Sequence, residues 1–124
     1  MISGERIFKS YGKIEVLKGV DIAIKTGEVA SIVGPSGSGK STLLHILGSL
    51  DKADSGTVTM NGTDISSLYG KKLASFRNKN IGFVFQFHHL LPEFSALENV
   101  CIPGWLSGKK KKEVEKNARE LLEI

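Results

Sequence analysis

Cysteine is almost absent from this sequence, which has one such residue, Cys101, in 124. A single cysteine cannot form a disulfide within the chain, and without a cluster of cysteines and histidines it offers no structural metal site. The sequence also lacks any run of about 18 apolar residues, the length that a membrane-spanning helix requires. Its N-terminus has no basic segment followed by an apolar run, as a secretory signal would. We therefore expect a cytoplasmic protein that reaches a membrane only through a partner.

The excess of positive charge is small and local. The formal net charge is +4, and four of the 17 basic residues form one run at residues 109–112. The rest of the chain is nearly balanced, which excludes a broad basic face for binding nucleic acid. Lysines that open a helix are usually a solvated face, and contact with phospholipid headgroups is the alternative for this run.

The first third of the chain has the pattern of strands. Hydrophobic residues make up 40% of the sequence, enough for one small domain with its own core. Alternating apolar residues predict strands at residues 2–9 and 19–25, separated by a turn around Gly12. These strands would form a half-buried antiparallel pair. Residues 29–33 are apolar on both faces and bounded by glycine, which predicts a buried central strand.

Turn signals separate the elements of the middle third. A short strand is predicted at residues 57–60, before the turn at Asn61 and Gly62, and another at residues 81–85. A loosely amphipathic helix is predicted at residues 66–78. The residues expected on the buried side of this helix are Leu68, Leu73 and Phe76.

The last third is predicted to be helical. The helical pattern starts at Ser95, is interrupted at Pro103 and Gly104, and resumes in a last helix. The residues expected on the apolar face of that helix are Val114, Ala118, Leu121 and Leu122. The sequence then stops at Ile124 without a glycine, asparagine or other helix-ending signal, which is unusual for a natural domain.

Residues 34–42 have the sequence Gly-Pro-Ser-Gly-Ser-Gly-Lys-Ser-Thr and contain the pattern G-x-x-x-x-G-K-[ST]. The glycines let the backbone curl so that its N–H groups point at phosphate oxygens, and the helix that follows adds its positive end. Lys40 would reach the outer phosphates, and the Ser41 hydroxyl would bind the bridging magnesium ion. A glycine-rich turn without a ligand is the alternative, which the order of strand, loop and helix disfavours. The candidate phosphate-binding residues are Gly34, Pro35, Ser36, Gly37, Ser38, Gly39, Lys40, Ser41 and Thr42.

The position of this loop narrows the choice among phosphate-binding proteins, since the loop alone does not define a function. Nucleotide kinases of the guanylate kinase type, which share the string Gly-Pro-Ser-Gly, carry their loop directly after the first strand. Here 33 residues with at least two strand-like segments come first. This order resembles the antiparallel subdomain that precedes the loop in ABC ATPases.

The resemblance becomes specific at residues 86–100, Gln-Phe-His-His-Leu-Leu-Pro-Glu-Phe-Ser-Ala-Leu-Glu-Asn-Val. This segment resembles the glutamine loop of ABC ATPases, and most of all that of the bacterial lipoprotein-releasing ATPases. Residues 17–20, 41–45 and 54–56 are similar as well, and the related macrolide-exporter and cell-division ATPases share much of the pattern. The resemblance implies an α/β fold, a truncated P-loop ATPase core with an N-terminal antiparallel β-subdomain, and residues 1–124 would be the N-terminal part of one ATP-binding domain.

Two site residues follow from the resemblance. Gln86 is similar to the glutamine that contacts magnesium or the attacking water and relays the nucleotide state to the membrane subunits. An amide suits that task because it donates and accepts without adding charge. Tyr11 resembles the aromatic residue that stacks on adenine. The alternatives are a polar residue at the end of a strand for Gln86 and an ordinary turn tyrosine for Tyr11.

The three histidines do not predict a metal site. His88 and His89 are neighbours, so in an extended chain they point to opposite sides, and no third ligand is near. We interpret both as part of the surface that faces the membrane subunit. His45 lies on the helix after the loop and is expected to pack there rather than to act in catalysis.

Two motifs that complete hydrolysis in the resembled family are missing, and so is the switch histidine that follows the first of them. One is four apolar residues ending in Asp-Glu, which supplies a magnesium ligand and the group that polarises water. None of the four aspartates follows such a run: Asp21, Asp51, Asp54 and Asp64. The other is the signature Leu-Ser-Gly-Gly-Gln, and residues 106–108 are not accepted as a version of it because lysines follow. The chain is therefore expected to be a truncated form, in which Lys40 and Gln86 contribute to catalysis without completing it.

The function implied by the resemblance is that of an ATP-binding subunit of a bacterial ABC transporter, with ATP and Mg²⁺ as cofactors. Lipoprotein release from the inner membrane, driven by ATP hydrolysis, is the expected task. The expected partners are a second copy of the ATP-binding subunit and inner-membrane permease subunits, on whose cytoplasmic side the protein would lie. A nucleotide-binding fragment without turnover and a P-loop phosphotransferase are the alternatives.

Overall fold

The structure is a computed structural model that describes residues 1–87 and 89–123. It divides into two compact units, Met1–Leu73 and Ala74–Ile124. The first unit contains the sheet and the glycine-rich loop, and the second is helical. Among the described residues, the helices are too short or too polar to cross a bilayer.

An antiparallel sheet of four strands forms most of the first unit. The strands are β1 (Ile2–Tyr11), β2 (Ile14–Ile24), β3 (Ser55–Met60) and β4 (Thr63–Asp64), in the spatial order β2-β1-β3-β4. The tight turn at Gly12 and Lys13 sets the register of the first pair, in which Tyr11 lies opposite Ile14. The predicted strands around residues 2–9, 19–25 and 57–60 are thus confirmed, each somewhat longer than predicted.

The core of the first unit lies between this sheet and helix α1 (Lys40–Leu47). Each of the three long strands buries one apolar residue, Ile7, Leu17 or Val58, and the helix buries three residues at helical spacing. Those three are Leu43, Ile46 and Leu47. Leu44 and Leu50, which also have helical spacing, remain exposed. A single 3₁₀ turn, Ile65–Ser67, follows β4 and buries Ile65.

Two predicted strands do not form. Residues 29–33 and 81–85 have no regular secondary structure, and neither segment belongs to the sheet. Val29 and Val33 are 98% and 85% exposed, so the predicted burial is also wrong. A strand exists only through hydrogen bonds to a neighbouring strand, and none of the described strands pairs with these segments.

Three more helices follow along the chain: α2 (Gly70–Asn80), α3 (Ala96–Leu106) and α4 (Lys111–Leu122). The boundary between the two units falls within α2. Helix α2 starts four residues later than predicted and has no fully buried residue, so Leu73 and Phe76 are only half-buried. Helix α3 begins with a capping box between Ser95 and Glu98. It continues through Pro103, and the predicted interruption there is wrong.

Helices α3 and α4 pack on each other around a small core. Cys101, Val114 and Ala118 are buried there, with Leu97 and Trp105 packed against them. The predicted apolar face of α4 is therefore only half correct, because Leu121 and Leu122 remain exposed. Lys111 opens the helix on its solvated side, pairs with Glu115 at 3.8 Å and lies 5.9 Å from the centre of the Trp105 ring.

Candidate functional site

The glycine-rich loop is pressed against strand β2 at the residue where it becomes a helix. Gly39, the N-cap of α1, has a left-handed backbone with φ of +88°. A Cβ atom at this position would lie 2.9 Å from Val16 Cγ1 and 3.0 Å from Leu17 Cδ2. Glycine is therefore required here both for its backbone conformation and for its lack of a side chain.

The N-terminus of helix α1 has the features of an anion-binding site. Its first turn contains no acidic residue, and within the described structure no side chain caps it. The first backbone bond of the helix runs from Leu43 N to Gly39 O at 2.9 Å, so the N–H groups before Leu43 precede the intrahelical ladder. Together with the positive end of the helix dipole, these N–H groups can bind phosphate oxygens.

The Lys40 side chain folds back over the loop. Its Nζ atom donates to Pro35 O at 2.6 Å and to Gly34 O at 2.9 Å, and it lies 3.5 Å from Ser38 Oγ. A backbone bond from Ser38 N to Pro35 O, at 3.3 Å, closes a turn in the same segment. The lysine therefore holds its charge at the loop and ties the start of the loop to the start of the helix.

A cavity of about 290 Å³ joins this loop to the tyrosine that the sequence assigned to adenine. It is lined by Tyr11, Val16 and residues 37–42. The first unit thus brings Tyr11 together with Lys40, Ser41 and Thr42. Gly34, Pro35 and Ser36 lie at the exposed entrance of the loop and do not line this cavity.

Tyr11 is held in place by side chains that the sequence analysis did not assign to the site. Its hydroxyl donates to Asp51 Oδ2 at 2.7 Å, and the Lys9 ammonium lies 5.2 Å from the centre of its ring. Lys9 in turn donates to Asp51 Oδ1 at 3.0 Å and to Lys52 O at 2.6 Å. Tyr11 as a whole residue remains 49% exposed.

These contacts shift the protonation equilibria of the group. The hydrogen bond from Tyr11 lowers the pKa of Asp51 below its usual value, and the bond from Lys9 acts in the same direction against the effect of burial. The same bond to Asp51 raises the pKa of Tyr11, while Thr42 has a smaller opposite effect. Burial lowers the pKa of Lys9, but Asp51 and Asp54 outweigh it and raise the pKa overall.

The sequence carries a weak signal for Lys9 and none for Asp51. Lys9 precedes Tyr11 by two residues on the same strand, the spacing that places two side chains on one face. Asp51 does not fit the acidic motif, and nothing else in the sequence singles it out. Its contact with Tyr11 joins residues 40 positions apart, which no local pattern reveals.

Gln86 lies in the second unit, exposed in a bend after residues 81–85. The preceding residue, Phe85, stacks on Phe83 with ring centres 5.5 Å apart and meets the edge of His89 at 4.7 Å. His88, which the sequence assigned to the surface facing a membrane subunit, lies outside the described residues. The shared magnesium site of Gln86 and Ser41 stays a prediction.

Asn99, on helix α3, holds residues 91–95, which lead into that helix. Its Oδ1 accepts from Leu91 N at 2.9 Å, and its Nδ2 donates to Leu91 O at 3.1 Å and to Phe94 O and Ser95 O at 3.0 Å. One side chain thus satisfies three backbone carbonyls and one N–H.

The other candidate residues have simpler environments. The His45 side chain is exposed, so the expected packing is wrong, although its carbonyl accepts from Leu50 N at 2.7 Å. Among the described residues, no group of three or more histidines, cysteines, aspartates or glutamates is arranged to hold a metal ion.

The sequence of this chain matches a known protein family. Residues 17–123 match the family described as ABC transporter. The lipoprotein-releasing system ATP-binding proteins LolD of Bacteroides thetaiotaomicron and Porphyromonas gingivalis are each 58% identical to this chain over 122 residues. Those alignments cover 98% of this chain and 56% of each relative. The LolD protein of Legionella pneumophila strain Paris is 50% identical over 127 residues, covering 99% of this chain and 56% of that relative.

Solved structures agree with the sequence comparison. The dimeric post-hydrolysis ATP-binding cassette MJ0796, bound to ADP and Pi, superposes with a TM-score of 0.90 at 41% identity. A second dimeric structure of MJ0796, described as a bacterial ABC transporter cassette, gives 0.90 at 42% identity. Each comparison covers 99% of this chain and 56% of the other, so the chain spans about half the length of the proteins it matches. The fold is that of the P-loop ABC ATPase, and this chain belongs to the ABC transporter family.

Proposed function

We propose that this chain provides the phosphate-binding and base-binding part of an ATP site in the ATP-binding subunit of a bacterial ABC transporter. The observation that carries the proposal is the cavity in which Tyr11 lies beside residues 37–42. A phosphate loop and an exposed aromatic ring in one cavity match the two ends of a nucleotide. The close LolD relatives support lipoprotein release from the inner membrane as the task of the whole protein.

The residues of the first unit fit a triphosphate. The N–H groups at the start of α1 would donate to phosphate oxygens, and Lys40 would exchange its bonds to loop carbonyls for bonds to the outer phosphates. The Thr42 hydroxyl, which also lines the cavity, adds a further donor. Adenine would stack on the half-exposed ring of Tyr11, which gives attraction with little base specificity.

Magnesium would be held in part by the Ser41 hydroxyl, which is exposed at the first turn of α1 and lines the same cavity. A hydroxyl oxygen next to bound phosphates is a suitable ligand for this hard cation, which would neutralise phosphate charge. Gln86 is proposed as a second contact through its amide oxygen, on the strength of the sequence resemblance.

The proposed partners follow from the relatives. MJ0796 is described as dimeric, which supports a second copy of the ATP-binding subunit across the nucleotide. The LolD proteins are named as parts of a lipoprotein-releasing system, which supports inner-membrane permease subunits as partners and a position on their cytoplasmic side. In the whole protein, ATP binding would close the dimer and hydrolysis would reset it.

For this chain by itself we propose nucleotide binding without turnover. The described residues include Lys40 and Gln86, but no Asp-Glu pair after an apolar run occurs in the sequence to polarise the attacking water. The family match over residues 17–123 does not favour a phosphotransferase.

Calorimetric titration of this chain with Mg²⁺ and ATP tests the proposal. The variant Lys40→Ala should lose binding, whereas Lys13→Ala, an exposed lysine at the β1–β2 turn, should bind as the unchanged chain does. Phosphate release should remain at background in all three. A chain that shows folded circular dichroism but does not bind ATP, or a Lys40→Ala variant that binds normally, would contradict the assignment of the site.

A further inference from the structure

We propose that Asp51 is a positioning residue for the nucleotide base, acting through Tyr11. The inference rests on the proposed function, because it concerns the ring that would stack on adenine. Its basis is the bond from the Tyr11 hydroxyl to Asp51 Oδ2, at 2.7 Å, beside the cavity that the ring shares with the phosphate loop.

Asp51 is itself fixed by the helix that starts at the phosphate loop. Helix α1 ends at Leu47, and the chain then turns back through Ser49, whose φ is +58°. The His45 carbonyl accepts from both Leu50 N, at 2.7 Å, and Asp51 N, at 3.2 Å. The aspartate backbone is thereby tied to the last turn of the helix whose first turn would bind phosphate.

The carboxylate of Asp51 accepts three hydrogen bonds, one of them from the backbone N–H of Lys52 to Oδ1 at 2.7 Å. Oδ2 accepts from Tyr11, and Oδ1 accepts from the buried ammonium of Lys9 at 3.0 Å. Lys9 is anchored further by Lys52 O, at 2.6 Å, and lies 3.8 Å from Asp54. Because each oxygen has a fixed donor, the carboxylate cannot rotate away from the tyrosine without breaking a charged hydrogen bond.

Tyr11 is consequently restrained at two points. Its hydroxyl is held by Asp51, and its ring is contacted by Lys9 at 5.2 Å from the centre. A half-exposed tyrosine without these contacts would sample several rotamers and would have to be ordered when a base stacks on it. Ordering one side chain in advance corresponds to an affinity gain of about three- to tenfold.

The test compares two ligands that share the triphosphate and differ in the base. ATP and inorganic tripolyphosphate are each titrated, with Mg²⁺, into the unchanged chain and into Asp51→Ala, Asp51→Asn and Tyr11→Phe. Asp54→Asn is the matched control, since Asp54 also lies near Lys9 but Tyr11 donates to Asp51. Asp51→Ala should weaken ATP binding about three- to tenfold and leave tripolyphosphate binding unchanged.

The double variant Tyr11→Phe with Asp51→Ala separates positioning from general stabilisation. Without the phenol hydroxyl there is no bond for Asp51 to make, so the aspartate substitution should cause little further loss of ATP affinity in that background. Asp51→Asn keeps the shape and one acceptor oxygen, so it should be intermediate, and it preserves the test if Asp51→Ala does not fold.

The outcomes distinguish this inference from the function on which it rests. Equal weakening of both ligands by Asp51 substitution, or no weakening of ATP, would overturn the positioning role while leaving the ATP site in place. A folded, unchanged chain that binds neither ligand would overturn the proposed function and the inference together. Loss confined to ATP, and absent in the Tyr11→Phe background, would support both.

Discussion

Val16 stands directly against Gly39, so closely that a Cβ atom on residue 39 would lie 2.9 Å from Val16 Cγ1 and 3.1 Å from Val16 O. The second of these atoms belongs to the backbone of strand β2 and cannot move aside as a flexible side chain could. This contact sets how near the phosphate loop lies to the sheet, and with it the position of the first turn of α1.

Gly39→Ala should therefore destabilise the chain by about 1–3 kcal/mol, because it adds a steric clash to the strain of a left-handed backbone. Urea unfolding followed by circular dichroism measures the effect. Gly37→Ala is the matched control, since Gly37 also has a positive φ, of +76°, but open space around it. If both variants cost the same, the contact with β2 is not what requires glycine at residue 39.

The lowered pKa of Asp51 makes the free energy of unfolding depend on pH in the acidic range. In the folded chain its pKa lies below the ordinary value of 3.8, because the carboxylate accepts from Tyr11 and Lys9. The unfolded chain thus takes up this proton first, so the stabilisation is present above the unfolded pKa and is lost as pH falls through the folded one. Asp51→Asn should flatten the fall of the unfolding free energy below about pH 4. Identical acid slopes in urea titrations of the two proteins would contradict the assignment.

Asn99 should be the most sensitive polar residue in the second unit. Its side chain makes four hydrogen bonds to the backbone of residues 91–95, so Asn99→Ala should cost about 1–3 kcal/mol. Asn80→Ala is a suitable control, because Asn80 makes one such bond, to Phe76 O at 2.8 Å, at the end of α2. Urea unfolding compares the two, and a larger cost for Asn80→Ala would show that the four bonds contribute little.

Gly104 should not tolerate a side chain, although its backbone is unstrained. A Cβ atom there would lie 2.7 Å from Val114 Cγ1 and 2.9 Å from Val114 Cγ2, between helices α3 and α4. Gly104→Ala should separate the helices and cost about 1–3 kcal/mol, more than alanine gains by helix propensity. Gly82→Ala, where the added atom meets open space, should be close to neutral. Thermal unfolding of both variants measures the difference, and a stabilised Gly104→Ala protein would refute the close packing.

The sequence predicted the elements whose partners are near in the chain. Strands β1 and β2 are joined by two residues, so alternation and a turn signal were enough to place them. Residues 29–33 have an equally clear apolar pattern, yet they form no strand, because pairing depends on a neighbour that the pattern does not specify. At Pro103 the local signal predicted a break that does not occur. Packing of α3 on α4 outweighs the local cost of proline within the helix.

The residues of the candidate site likewise fall into those that the local sequence predicts and those that only the fold brings together. The phosphate loop was predicted because its chemistry depends on consecutive residues, and Tyr11 because the flanking resemblance assigned it. Lys9 left only a weak signal, its two-residue spacing from Tyr11 on β1. Asp51 could not be found, since it meets Tyr11 only after α1 has turned the chain back towards β1. A contact of this kind is a property of the fold and leaves no periodic trace in the sequence.

The bonds from Lys40 to the carbonyls of Gly34 and Pro35 give the lysine a second task besides carrying charge. Through these bonds the side chain closes the loop into a ring. Truncating the lysine would therefore also increase the conformational disorder of the glycine-rich loop. Affinity lost in a Lys40 variant would then have an electrostatic part, which added salt screens, and a conformational part, which salt leaves unchanged.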